Sequence, residues 1–174
     1  QQDLFKHWIE SVFRVTPNNR YRHNNMYNWM MTVAMAGCTI EDPDYVHWAF
    51  GTGKYAPEVR PEHRSLAWLT ENNYLDDGAF WGLCSAYHLY ALQPQCEVMV
   101  LGGRISQQMP QLFPPEEFDW LAPESKRYQT VRKALTWFTA QTFPDLTMAP
   151  FGDMGGRVSL ATYALTAEIG YRYF

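Results

Sequence analysis

The stretch DDGAFWGLCSAYHLYAL, residues 76–92, organises the fold that the sequence predicts. It opens with Asp76, Asp77 and Gly78, which predict a turn and a helix N-cap, because short polar side chains accept the free N–H groups of a first helical turn. The apolar residues that follow contain no proline, so they predict one helix that runs directly on from the turn.

Two tyrosines of this predicted helix are its best candidates for chemistry. At helical spacing Tyr87 and Tyr90 share one face, whereas His88 lies on another. Two phenols on one face beside a glycine-bearing turn can transfer protons at a binding site. They can equally be core tyrosines whose hydroxyl groups are bonded internally. The helix pattern alone favours the core interpretation.

The remainder of the sequence predicts further helices joined by long irregular loops. Asn24 or Asn25 is a candidate N-cap for a helix at about 26–36. Pro94 predicts a break in the helix that begins near Gly78. The other predicted helices lie at 3–14, 41–50, 61–70, 95–104, 123–142 and 159–174. Since no repeated strand pattern occurs, the predicted class is all-α, with residues 1–174 forming a single helical domain.

Composition narrows the classes of partner. The net charge is −4 and no basic tract is present, which argues against nucleic acid and anionic membranes as main partners. No apolar run is long enough to span a bilayer. Aromatic residues make up 16% of the chain, and exposed rings suit the apolar faces of sugars, although an aromatic-rich core accounts for them equally well. The chain lacks an initiator Met and stops inside a predicted helix, so we expect a segment of a longer protein.

The common catalytic and metal motifs are absent from the sequence. The five histidines show neither HxxxH nor HExxH spacing, and Cys38, Cys84 and Cys96 lack metal-type spacing, so no metal or other cofactor is expected. No GxSxG occurs. Turn chemistry accounts for the loop carboxylates Asp76, Asp77 and Asp153, although a glycoside hydrolase using two of them stays open as an alternative.

Two segments together resemble a known family. The segments are RYRHNNMYNW, residues 20–29, and AYHLYAL, residues 86–92. They resemble the catalytic region of alginate-lyase and heparinase-type polysaccharide lyases, in which an Asn-Asn-His…Trp segment precedes a helix containing Ala-Tyr-His-x-Tyr-Ala-Leu. The loop PFGD at 150–153 also resembles a loop of heparinase-type enzymes. The resemblance implies an α/α toroid, an incomplete ring of helical hairpins, and export to a secreted or periplasmic location.

The resemblance also implies β-elimination of a uronic-acid polysaccharide. The C5 proton of a uronate is poorly acidic while its carboxylate is charged, so amide or imidazole donors must neutralise the carboxylate before a phenol removes the proton. By this match Tyr90 is the acid and base, with Tyr87 as second choice, and Asn25 neutralises the carboxylate. Met26 stands where the family has histidine, so we assign that role to His23.

The remaining site assignments are contacts to the polymer. Leu83 stands where alginate lyases carry an arginine, and Arg22 or Arg64 is the expected replacement. The other expected substrate contacts are Asn24, Asn28, Trp29, Trp81 and His88. A uronate C5-epimerase on the same fold needs similar groups, and so does a non-catalytic carbohydrate-binding relative, so both stay open beside the hydrolase.

Overall fold

The computed structural model describes residues 3–4, 6–7, 11, 24–150, 152 and 156–174. These residues are mostly helical and include one small two-stranded sheet, so the predicted all-α class is confirmed. The chain divides into two compact units, Gln1–Leu69 and Thr70–Phe174, where the sequence predicts a single domain. Each unit is described separately below.

The described helices and strands are joined by turns and loops of varied length. In chain order they are α1 (Asn25–Thr39), α2 (Pro43–Phe50), a 3-10 turn (Gly53–Tyr55), α3 (Leu66–Asn72), α4 (Ser85–Gln108), α5 (Pro115–Phe118), α6 (Lys126–Ala140), β1 (Thr147–Met148), β2 (Val158–Ser159), a second 3-10 turn (Leu160–Tyr163) and α7 (Ala164–Tyr173). Within the helix predicted at 3–14, the described residues Asp3, Leu4, Lys6, His7 and Ser11 are helical.

The first unit is built on the hairpin of α1 and α2. The Asn24 side chain accepts a hydrogen bond from the Asn25 N–H at 3.1 Å and caps α1, as predicted. Asp42 caps α2 in the same way through the Asp44 N–H, with Pro43 at the first helical position. The helices pack against each other through an apolar core that includes Met26, Tyr27, Met30, Val33, Val46 and Phe50.

The central element of the second unit is α4, which packs against α5, α6 and α7. It runs without interruption through Pro94 and through the pair Gly102 and Gly103, so the predicted break at Pro94 is wrong. All three residues are buried, and a Cβ at Gly103 would lie 3.3 Å from Leu121 Cδ1, so the 119–121 turn approaches the helix closely there. Burial against several partners outweighs the roughly 3 kcal/mol that an internal proline costs.

The residues before α4 form a closed turn and not a helix. The bridge between Tyr74 and Phe80, with the Leu75 N–H donating to Ala79 O at 2.8 Å, pairs this segment with itself. The predicted helix start near Gly78 is therefore wrong, and the helix begins at Ser85. The physical reason is that the backbone N–H groups expected to start a helix are used in these turn hydrogen bonds.

The segment between α6 and α7 contains the small sheet and a 3-10 turn, so the helix predicted at 159–174 is wrong at its start and begins at Ala164. β1 pairs antiparallel with β2, with Thr147 opposite Ser159 and Met148 opposite Val158. The buried Met148 also bridges to Thr142 at the end of α6, which ties the sheet to that helix. Among the helices that the structure describes, none is long and apolar enough to cross a bilayer.

Replacement of Gly78 by alanine tests the turn before α4. Gly78 has φ +93°, and an added Cβ would collide with the backbone carbonyl of Lys133 in α6. We expect Gly78→Ala to lower the free energy of unfolding by about 2 kcal/mol, because both the strain and the clash involve backbone. Urea unfolding measures the change. Gly156→Ala is the matched control, since nothing lies within 4 Å of its added Cβ. Equal stability of the two variants would contradict the turn geometry.

Candidate functional site

The first turns of α4 present a group of aromatic side chains to solvent. Tyr87 is 38% exposed and Tyr90 is 42% exposed, and Trp81 in the preceding turn is 41% exposed. The prediction that the two tyrosines share a face is confirmed, since α4 buries the opposite face. We call Trp81, Tyr87 and Tyr90 the ring surface. A phenol that is exposed to this extent can contact a dissolved polymer, so the core interpretation of both tyrosines is wrong.

His88 lies on the buried face of α4, between the turn that precedes the helix and α6. The Phe80 N–H donates to His88 Nδ1 at 3.2 Å, so Nε2 carries the proton and donates to Ala134 O at 3.1 Å. The imidazole packs against the ring of Trp137, with 4.6 Å between centroids. Burial lowers the pKa of His88 to about 4, which keeps the ring neutral at pH 7.

These contacts correct the assignment of His88 as a substrate contact. Its side chain is 0% exposed and both ring nitrogens are bonded to backbone groups. His88 has no solvent-exposed surface, and neither ring nitrogen is left to bond a ligand. It therefore cannot bind a polymer and is a structural histidine. It holds the Phe80 end of the turn against α6 and thereby sets the position from which α4 begins.

The loop that follows β1 lies against the start of α4. Ser85 Oγ donates to Ala149 O at 2.8 Å, and a Cβ at Gly152 would come within 2.7 Å of Leu83 O. The loop 150–153, which resembles a loop of heparinase-type enzymes, is described at Pro150 and Gly152. At Gly152 it lies next to Leu83, just before the helix that carries Tyr87 and Tyr90. Asp153 lies outside the described residues. Leu83, which stands at the family's arginine position, is exposed beside this loop.

Tyr163 is a further member of this region that the sequence did not single out. It ends the 3-10 turn after β2 and is half-buried. Burial raises the pKa of the Tyr163 phenol, and the charge of an ionised Tyr90 raises it further.

Most predicted site residues of the first unit lie in the first turns of α1 or just before it in the sequence, and Arg64 is the exception. Asn24, Asn25, Asn28 and Trp29 are all half-buried. The amide oxygen of Asn24 is used in capping α1, which gives this residue a structural role whatever else it contacts. Asn25 and Asn28 lie three positions apart and therefore on the same side of α1. Two other assigned residues, Arg22 and His23, lie outside the described residues.

Arg64 lies in a turn and not on a helix, because α3 begins at Leu66 and the predicted helix 61–70 is wrong at its start. Its Nη1 donates to Pro61 O at 3.0 Å, and the guanidinium covers the ring of Trp68 at 3.8 Å. Arg64 also lines a small cavity of about 110 Å³. The other lining residues are Met26, Met30, Trp48, Arg60, Glu62 and His63.

The cavity places one histidine beside two arginines. His63 Nε2 donates to Trp48 O at 2.7 Å, which leaves Nδ1 as the unprotonated nitrogen of the neutral ring. Burial lowers the pKa of His63, and the charge of Arg60 lowers it further, partly offset by the Trp48 carbonyl and by Glu62. The cavity holds a small group at most. Its lining carries the two arginines Arg60 and Arg64 together with one carboxylate, Glu62.

A wider groove of about 770 Å³ lies in the second unit between α6 and α7. Apolar side chains such as Leu135, Phe138 and Leu160 line it, and Arg132 and Tyr171 are at its edge. None of the predicted site residues contributes to this groove. Within the part of the chain that the structure describes, no group of three or more His, Cys, Asp or Glu side chains could hold a metal ion.

Comparisons with known proteins found no relatives. No family model matches the sequence, no curated protein matches it, and no solved structure matches the fold. The function proposed next therefore depends on the residues and on the geometry of the ring surface.

Proposed function

We propose that the protein is a polysaccharide lyase that cleaves a uronic-acid polymer by β-elimination. The observation that carries the proposal is the solvent exposure of Tyr90 and Tyr87 on the helix with the Tyr-His-x-Tyr pattern. A fully buried Tyr90 would have excluded proton transfer to a polymer. Because His88 is buried, the two phenols are the polar side chains of the Tyr-His-x-Tyr pattern that are exposed to a substrate.

The proposed reaction needs one proton-transfer group beside the sugar ring. The Tyr90 phenolate takes the C5 proton of the uronate, the C4–C5 double bond forms as the C4–O bond breaks, and the same phenol returns the proton to the leaving oxygen. Trp81 and Tyr87 offer ring faces on which a sugar can stack. The ring surface supplies the proton-transfer group and the stacking faces, and the proposal includes no cofactor.

The resemblance assigns neutralisation of the uronate carboxylate to the segment 20–29, and the proposal keeps that assignment. Asn25 is the first choice, and its amide N–H groups can donate to a carboxylate oxygen. Asn28, Trp29 and Arg22 are proposed polymer contacts, and His23 is proposed in the role of the family's histidine. Arg64 stays a candidate for the cation that the family places near the base. The guanidinium is held over Trp68 and is only half-buried, so it can still contact an anionic group.

The fold and the cellular location are finer parts of the same proposal. The resemblance that suggests lyase chemistry also suggests that the helical hairpins belong to an α/α toroid and that the protein is exported. The confirmed helical class supports the first suggestion at the level of class. A chain with a net charge of −4 repels an acidic polymer unless cations or amides at the site compensate the charge of the polymer. The proposal therefore needs the assignments of Asn25 and Arg64.

One assay panel tests the proposal. The protein is mixed separately with alginate, glucuronan and glycosaminoglycans, and the ultraviolet absorbance of unsaturated uronate ends is followed with time. A rise that depends on protein concentration is the expected result. Reducing ends released without this absorbance would indicate the hydrolase instead, and deuterium incorporated at C5 without cleavage would indicate the epimerase.

Non-catalytic carbohydrate binding is the second candidate, because exposed rings such as Trp81 also serve binding alone. Polymer binding without any chemical change would favour it and would exclude the lyase. Trp81→Ala is expected to weaken polymer binding in either case, by about tenfold, which corresponds to one lost stacking contact of roughly 1–1.5 kcal/mol. Isothermal titration with an oligouronate measures the change. Leu112→Ala is the control, as it removes an exposed apolar side chain from another part of the second unit.

A further inference from the structure

The groove between α6 and α7 is a defined depression, because its two walls are held to each other. At Gly170 of α7 an added Cβ would lie 3.1 Å from Leu135 Cδ2 of α6, so the two helices approach closely there. Beyond the end of α6, the Leu160 N–H donates to Leu146 O at 2.9 Å, and both residues line the groove. The side chain of Leu146 is nevertheless 60% exposed, so this end of the groove leaves apolar surface in water.

The wall that α6 contributes is one continuous stripe along the helix. Its lining residues recur at spacings of three and four, which places them on one side of a helix. They are Arg132, Leu135, Thr136, Phe138 and Thr139, followed by Thr142 just after the helix. From Arg132 to Thr139 the stripe extends about 10 Å along the axis.

The three threonines of this stripe use their hydroxyl hydrogens within α6. Thr136 Oγ1 donates to Arg132 O at 2.9 Å, Thr139 Oγ1 to Leu135 O at 2.9 Å and Thr142 Oγ1 to Phe138 O at 3.0 Å. These hydroxyls therefore have no hydrogen left to donate to a ligand. A ligand in this part of the groove is stabilised mainly by burial of apolar surface.

The guanidinium of Arg132 supplies the charge at one end of the stripe. Of the described residues that line the groove, Arg132 is the one with a charged side chain. It is exposed and forms no ion pair with any residue that the structure describes. The carboxylate of Glu168 on α7 bonds Arg172 at 2.7 Å instead, and neither of these residues lines the groove. An apolar groove with one cation at its end complements a molecule that has an apolar chain and one negative charge.

We propose that this groove binds a single alkyl chain that ends in a carboxylate, with the carboxylate on Arg132 and the chain extending along α6 towards Leu146 and Leu160. One guanidinium matches one carboxylate, because its paired N–H groups fit the two carboxylate oxygens. The chain covers the apolar lining, including the exposed Leu146.

The size of the groove favours a small amphiphile over a peptide helix. Its volume of about 770 Å³ lies within the roughly 300–1,000 Å³ of small-molecule sites. Three turns of a helix about 10 Å across occupy roughly 1,300 Å³, which is more than the groove holds.

Isothermal titration at neutral pH with three ligands tests the proposal. Decanoate, below its micelle concentration, is expected to bind saturably at one site. Acetate has the same head group without the chain and should not bind measurably. Decylammonium has a comparable chain with the opposite charge and should bind at least about tenfold more weakly, because it cannot pair with Arg132. Absence of saturable decanoate binding, or equal affinity for decylammonium, would overturn the proposal.

Two neighbouring charges on α6 provide matched variants. Arg132→Gln is expected to weaken decanoate binding by about tenfold, since the charged partner of the carboxylate is lost. Lys133→Gln removes the same charge from the next residue, which is exposed and does not line the groove, and should change affinity by less than about twofold. Equal losses in the two variants would show a response to net charge and would overturn the role of Arg132.

Filling the groove tests where the chain lies. Ala167→Phe introduces a ring at an exposed lining position of α7 and should weaken decanoate binding at least about tenfold, whereas Ala164→Phe at an exposed position outside the lining should not. Unchanged affinity in Ala167→Phe would overturn the placement, and thermal melting checks that each variant folds. None of the residues assigned to the polysaccharide lines this groove, so polymer cleavage and decanoate binding succeed or fail independently.

Discussion

Replacement of Tyr90 by phenylalanine is expected to lower the rate of polymer cleavage by at least ~10²-fold, the usual contribution of a positioned acid–base group. The substitution keeps the ring and removes only the hydroxyl, so a sugar can still stack on it. Tyr90 is 42% exposed, and the loss of its hydroxyl should therefore change the melting temperature very little. Initial rates of absorbance increase on the polymer that the assay panel identifies measure the effect.

The matched control for this prediction is Tyr87→Phe. Tyr87 lies on the same face of α4, has a similar exposure and loses the same group, but it is the second choice for proton transfer. We expect its rate to fall by less than about tenfold. Equal loss in both variants would show that the phenols act by binding, and a larger loss in Tyr87→Phe would exchange their roles.

The amide assignment is tested with the same assay. Asn25→Ala is expected to lower kcat, because the substrate carboxylate keeps its charge as C5 loses its proton. Asn24→Ala removes an amide next to it in sequence and a helix cap, so it should cost about 1 kcal/mol of stability with a smaller effect on kcat. A kcat unchanged in Asn25→Ala would remove this residue from the mechanism.

Replacement of His88 is expected to produce the largest loss of stability. His88→Ala removes a fully buried imidazole, leaves the Phe80 N–H without its acceptor and opens a cavity beside Trp137. We expect the free energy of unfolding to fall by about 3 kcal/mol, which combines a buried cavity with a lost buried hydrogen bond. Urea unfolding measures it. His7→Ala, which removes an exposed imidazole, is the control and should leave stability within about 0.5 kcal/mol.

The pKa of His88 adds a dependence of stability on pH. Burial lowers this pKa to about 4 in the folded protein, whereas an unfolded histidine titrates near 6.5. Between these values the unfolded chain binds more protons than the folded chain, so the free energy of unfolding falls as the pH is lowered. The contribution of His88 is complete above about pH 6.5 and is lost towards pH 4, a difference of about 3 kcal/mol.

The comparison of two pH values isolates this contribution. Urea unfolding at pH 7.5 and at pH 4.5 is measured for the parent protein and for His88→Gln, which cannot titrate. The drop in unfolding free energy between the two pH values should be smaller in His88→Gln by about 2–3 kcal/mol. Equal drops in the two proteins would show that His88 is not held neutral by burial. His7→Gln controls for removal of an exposed imidazole.

Local chemistry in the sequence determined the helical class and several helix starts. Asn24 was recognisable as a cap because capping requires only a side-chain oxygen next to its own helix. The common face of Tyr87 and Tyr90 followed from helical spacing, which does not depend on any distant residue. Their exposure did not follow, since a tyrosine suits a core and a wet surface equally well.

Tertiary packing decided where the central helix begins and how far it runs. The turn hydrogen bonds from Tyr74 to Phe80 take the groups that would start a helix at Gly78, and His88 locks that turn against α6. Pro94 and the two glycines remain inside α4 because α5, α6 and α7 bury it. Neither effect is visible in a window of sequence, because the stabilising partners are distant in the chain, α7 at Ala164–Tyr173 most of all.

For the candidate site, the sequence by itself determined the residue types and their order on the chain. It determined that α4 offers two phenols on one face and that a histidine lies between them on another face. Tertiary structure alone decided that His88 is sealed between two backbone groups and that Tyr90 reaches solvent. The physical reason is that burial depends on contacts between elements, whereas helical spacing depends on a single element.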